Sequence, residues 1–154
     1  TDQAQHELTH LRILLECEGA CLSIRQGGID WESRLTAAHH KLSHIEKRVR
    51  GSADHMPLFI LWAKAEQAFH ETLISDCGSD VLKATHAMIY QRFRQQVFNS
   101  DKKFVFVVKN IEQHQGILDA ALMRDEALIR SRIYSHLERN LVFDMPPELP
   151  KLPY

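Results

Sequence analysis

Proline is nearly missing from the first 145 residues, where Pro57 is the only one, and six glycines are spread over 154 residues. Chain breakers are therefore rare, and long tracts can hold one periodicity. Cysteine is scarce too: Cys17, Cys21 and Cys77 are an odd number without a C-x-x-C pair, which argues against a disulfide framework or a zinc ribbon and fits a reducing cytoplasm. Neither charge dominates, with 19 basic against 20 acidic residues. The chain thus lacks a broad electrostatic surface for nucleic acid or an anionic membrane. No apolar run approaches the roughly 20 residues of a membrane span, and the opening TDQAQHE is not a secretory signal. What is abundant is histidine, ten in all.

The length suits one domain with one apolar core. Apolar residues recur at helical spacing almost throughout. Ala4, Leu8, Leu11, Leu15 and Leu22 mark a first helix, ended by Gly27-Gly28. A second, capped by Asp30, follows Leu35, Ala38, Leu42, Ile45 and Val49 to Gly51-Ser52. A third begins beside Pro57 and runs through Leu58, Trp62, Ala65, Phe69 and Leu73 to Cys77-Gly78-Ser79. The fourth carries Leu82, Ile89, Phe93 and Val97. KKFVFVVKNI is β-branched enough for a strand in isolation, but Phe104, Val107, Ile111, His114, Leu118 and Ala121 continue one helical stripe, which makes it helix five. A turn near Arg124-Asp125 leads to the sixth, with Ile129, Ile133, Leu137 and Leu141, before DMPPELPKLP ends regular structure. The expectation is an all-α antiparallel bundle of about six helices over residues 1–143, followed by a proline-rich, extended tail at 144–154.

Residues 6–10 read HELTH, the H-E-x-x-H spacing that lets two histidines on one helix face ligate zinc beside a glutamate base. The longer metzincin pattern requires glycine at 13 and histidine at 16, where this chain has Ile13 and Glu16. Only five residues precede the motif, nothing supplies a substrate-binding sheet, and His40/His44 repeats the spacing. Solvated helix-face histidines are the better account of HELTH.

A different constellation is more informative. In EQAFH, Glu66 and His70 stand one helical turn apart and can offer an oxygen and a nitrogen to one ion. His114 and His136 occupy the apolar stripes of helices five and six, where a histidine is costly unless its nitrogens find partners. The midpoint of 114 and 136 is the turn at 125, so across an antiparallel hairpin the two rings lie at matching depth. One carboxylate and three imidazoles then converge inside the bundle, a set suited to a divalent metal, with zinc the default and nickel, manganese or iron as alternatives. The competing account makes His114 and His136 hydrogen-bonded core residues and pairs Glu66 with Lys64.

Several segments together resemble a known family: LRILLECEGACLSI with Arg12 and Glu16, EQAFH, the RFR at 92–94, HQGILDAALMRD at 114–125, and SHL at 135–137. Over roughly residues 8–141 the chain resembles the FCD domain, the C-terminal effector-binding and dimerisation domain of GntR-type (FadR-like) bacterial transcription regulators. The resemblance implies a metal on Glu66, His70, His114 and His136, with glutamate at 66 where the family usually has aspartate. It implies a small carboxylate effector held against that metal by Arg12 and Arg94, and a homodimer. Arg94 has some separate support, because across the turn near 78–79 its level is close to position 63, one turn from Glu66. A winged helix-turn-helix normally precedes this domain, so DNA is expected to be reached only through a domain outside these 154 residues. The stretch GGIDWESRLTAAHHKLS looks like a subgroup tied to dicarboxylate and amino-acid catabolism, pointing to a glutarate-like diacid. No enzymatic activity is expected on this reading. A metal-dependent enzyme using the same ligands, and a helical interaction module without metal, are the rival accounts.

Overall fold

The computed structural model describes residues 2–51, 56–98 and 103–138. They form six helices: α1 (Asp2–Gln26), α2 (Ile29–Gly51), α3 (Met56–Leu73), α4 (Asp80–Phe98), α5 (Lys103–Leu122) and α6 (Glu126–Leu137). No strand occurs among the described residues, and the β-branched segment after Lys103 is helical, as its stripe required. The chain is the all-α bundle expected. Leu141 and the tail at 144–154 lie outside the described residues.

Local chemistry sets the connections. Gly78, at φ 77°, supplies the left-handed residue of the α3–α4 turn. Ser79 then opens α4 by accepting the Leu82 N–H on its hydroxyl at 3.1 Å. Asp125 caps α6 by accepting from the Leu128 N–H at 3.0 Å. Before it, Arg124 is left-handed without being glycine, at φ 56°. Its guanidinium donates to the carbonyls of Ile24 and Gly27 and to the Glu32 carboxylate, tying the α5–α6 turn to the α1–α2 turn.

Two expectations need correction. Asp30 is not the cap of α2: the helix starts at Ile29, and the Gly28 carbonyl accepts from the Glu32 N–H at 3.1 Å. Asp30 and Glu32 instead sit in the first turn, where negative charge favours the helix dipole. The core face of α1 is also rotated from the stripe drawn through Leu8, Leu11 and Leu15. Leu11 is 38% exposed, whereas Ile13, Cys17, Ala20 and Ile24 are buried together with Arg12 and Glu16. The α1 sequence is apolar around much of its circumference, so periodicity alone selects no face.

α1 packs against α4 and α6, α2 against α3 and α5, and α5 against α6, with α3 also touching α1 and α4. The six helices thus form a closed ring of neighbours around one interior. Gly19 permits part of this closeness, since a Cβ there would meet Ile74 Cγ2 at 2.7 Å. Among the described residues no helix is long and apolar enough to cross a membrane.

Candidate metal centre

α3 presents Glu66 and His70 one turn apart, while α5 and α6 bring His114 and His136 together with ring centroids 4.6 Å apart. His70 lies 5.5 Å from His114 and 5.2 Å from His136 by the same measure. All four residues are buried, and each offers one ligand atom so that the four atoms lie within 4.8 Å of one another. Such a group could hold a metal ion. Phe69 closes one side, with its ring 5.4 Å from both His70 and His114.

The far side of each imidazole is anchored. Glu16 Oε2 lies 2.9 Å from His70 Nδ1, Glu46 Oε1 lies 3.2 Å from His114 Nδ1, and Gln113 Oε1 lies 2.9 Å from His136 Nδ1. An oxygen acceptor at Nδ1 favours the tautomer that donates there and carries its lone pair on Nε2. The Nε2 atoms of His70 and His114 are buried without a hydrogen-bond partner. His70 Nε2 stands 2.9 Å from Glu66 Oε1, close enough for an ion pair but not aligned as a hydrogen bond, and His114 Nε2 is 4.0 Å from the same oxygen. Orphaned imidazole nitrogens converging on a carboxylate fit a borderline dication, which supplies the missing partner.

Without an ion, the surrounding carboxylates favour a proton on His70. Burial opposes charge on His70, yet Glu16 and Glu66 outweigh it and push its pKa up to about 9. Burial also opposes charge on Glu66, but His70 and Arg12 pull its carboxyl down to about 2. Glu16 is likewise held well below the ordinary carboxylate range, because Arg12 and His70 overcome the effect of its burial.

Arg12 and Arg94 border this cluster. Arg12 is buried: its Nε donates to Glu16 Oε1 at 2.9 Å, and its Nη2, without a hydrogen-bond partner, is 3.6 Å from Glu66 Oε1. The Arg12–Glu16 pair is therefore an interior one. The guanidinium lies 4.5 Å from the ring centres of Tyr90 and Phe93. Arg94 is half-buried, stacks on Tyr90 at 5.1 Å and donates to the Ala63 carbonyl, the level expected for it. Arg92 is exposed and lines a groove between α1 and α4 with Glu7 and Leu11. His6 and His10 of HELTH pair with each other, ring centroids 5.8 Å apart, and among the described residues belong to no such cluster.

Comparison with known proteins places this architecture. The FCD domain family matches residues 7–139. The chain belongs to the FCD domain family. It is 30% identical over 139 residues to an uncharacterized HTH-type transcriptional regulator, BphR, of Paraburkholderia xenovorans (strain LB400), covering 88% of this chain and 54% of that protein. It is 27% identical over 141 residues to the HTH-type transcriptional repressor GlaR of Escherichia coli (strain K12), covering 89% of this chain and 62% of that protein. The chain therefore spans little more than half the length of these relatives. No solved structure matches significantly.

Three residues around the centre of this FCD domain were not assigned a role from sequence. Glu16 receives His70, Arg12 and also His86, whose Nε2 is 2.9 Å from Glu16 Oε1. Glu46 receives His114. A signal existed for two of them: His86 fills the gap between Leu82 and Ile89 on α4, and Glu46 completes the run Leu35, His39, Leu42, Glu46 and Val49, all buried. A charged residue inside a buried helical stripe needs a partner.

Proposed function

We propose that this FCD domain is the sensing part of a transcription regulator, binding a divalent metal through Glu66, His70, His114 and His136 and a small organic acid against it. Arg12 and Arg94 grip the acid's carboxylate by charge-assisted hydrogen bonds. Occupancy is passed to a DNA-binding domain outside this chain, and the domain acts as a homodimer in the cytoplasm. Zinc is the first choice of metal, with nickel, manganese and iron as alternatives, and a dicarboxylate is the first choice of effector.

The observation that carries the reading is the convergence of four buried ligand atoms within 4.8 Å, with all three imidazoles anchored through Nδ1. Charge supports it as well. Three buried carboxylates, Glu16, Glu46 and Glu66, face one fully buried guanidinium, Arg12. A dication balances that set, and Arg94 at the margin then leaves a place for one further carboxylate. The homodimer has support in the exposed Leu11, Leu14, Val81 and Met88 on the packed pair α1 and α4, which offer apolar surface to a second copy. The relatives' being transcriptional regulators favours binding over turnover.

The test is a thermal-shift screen of small carboxylates, run with zinc and again with a chelator, since a ligand specific for the folded state raises apparent stability by mass action. Hits that vanish with the chelator support the reading. Hits indifferent to the chelator, or conversion of an acid to product by the zinc-loaded protein, contradict it.

A further inference from the structure

Glu46 is a carboxylate with no exposed surface, and an indole N–H and an imidazole nitrogen face its two oxygens. Trp62 Nε1–H donates to Oε2 at 3.2 Å, and His114 Nδ1 lies 3.2 Å from Oε1. α2 supplies the carboxylate, α3 the indole and α5 the imidazole. Trp62 is nearly buried at 6% exposure, and indole nitrogen can only donate. It therefore fixes one oxygen of Glu46 and leaves the other directed at His114.

We propose that Glu46, oriented by Trp62, is the positioning residue that holds His114 in its Nδ1–H tautomer and so keeps the His114 Nε2 lone pair directed at the metal. The inference rests on the metal reading above, and it assigns to α2 a part in a centre whose four candidate ligands come from α3, α5 and α6. A carboxylate satisfies two donors at once, whereas an amide has one oxygen. In Glu46→Gln the oxygen goes to the donor-only indole, and the amide NH2 turns toward His114 Nδ1. That ring then accepts at Nδ1 and carries its proton on Nε2, where it blocks ligation.

The experiment measures zinc affinity by competition with a chromophoric chelator for wild type, Glu46→Gln, Trp62→Phe and the double variant, with circular dichroism as the check on folding. Loss of an outer partner of a ligating histidine costs about 10- to 100-fold in metal affinity, which is the loss expected for Glu46→Gln. Trp62→Phe alone keeps the carboxylate on His114 and is expected to lose less than the roughly 10-fold that marks a lost outer partner. Adding Trp62→Phe to Glu46→Gln frees the amide oxygen to return to His114 and recovers most of the loss. Wild-type affinity in Glu46→Gln, or a double variant as weak as the single one, overturns the proposal. If Glu46→Gln does not fold, the tautomer of His114 in the chelated wild type decides instead.

Proton-detected nitrogen NMR of the neutral His114 ring gives a readout that needs no metal. Nδ1–H in the chelated wild type supports the proposal and Nε2–H contradicts it. Failure of the wild type to bind zinc at all, with His114 still Nδ1-protonated, would count against the metal centre while leaving the positioning role intact.

Discussion

Raising the pH of the chelated protein removes the proton that the charges of Glu16 and Glu66 hold on His70. The His70 pKa rises from 6.5 to about 9 on folding, because the two carboxylates outweigh the opposing effect of burial. A raised pKa means that the stabilisation is fully present below 6.5 and is lost as pH climbs through 9. At about 1.4 kcal/mol per unit, His70 contributes on the order of 3 kcal/mol, a large share of a small domain's stability. A ligated His70 has to be neutral, so at pH 7 zinc must displace its proton. Affinity is then expected to rise about tenfold for each unit climbed toward 9, with close to one proton released per zinc near neutrality. Calorimetry in buffers of different ionisation enthalpy reads the released proton, and thermal melts from pH 6.5 to 9 read the stability. The chelated protein is expected to lose stability over that window while the zinc-loaded protein keeps it. Zinc binding without proton release, or chelated and loaded melts that move together, would refute the reasoning.

Other perturbations test neighbouring parts of the account. Replacing both His114 and His136 by alanine should abolish stoichiometric zinc in purified protein, which elemental analysis reads directly. Arg12→Ala leaves Glu16 buried without its guanidinium and is expected to cost about 3–5 kcal/mol in denaturant melts, the scale for breaking a buried pair. Arg94→Ala, at a half-buried position, should retain zinc and lose carboxylate-dependent thermal shifts. Gly19→Ala drives a methyl into Ile74 and should destabilise the fold by about 1–3 kcal/mol without changing zinc affinity.

The sequence was most legible where one face of a helix is apolar and the other polar. Trp62, Ala65, Phe69 and Leu73 on α3, and Ile129, Ile133 and Leu137 on α6, are buried as their spacing required. The depth match of His114 and His136 followed from a turn at 125, and the rings do face each other. α1 was misread because leucines surround it, and its buried face is decided by Arg12 and Glu16, whose partners come from α3 and α4. His86 and Glu46 lie on buried helical stripes that the spacing marks. Glu16 is harder to read, because a glutamate on a helix is usually solvated and only neighbours remote in sequence reveal that its side chain points inward.

X-ray absorption at the metal edge of the zinc-loaded protein tests the central claim most directly. The account predicts one ion per chain with three imidazole nitrogens and one carboxylate oxygen at about 2.0–2.2 Å, and loss of the imidazole scattering in the variant lacking His114 and His136. Sulfur scattering from Cys17, Cys21 or Cys77, or an unchanged spectrum in that variant, would contradict it.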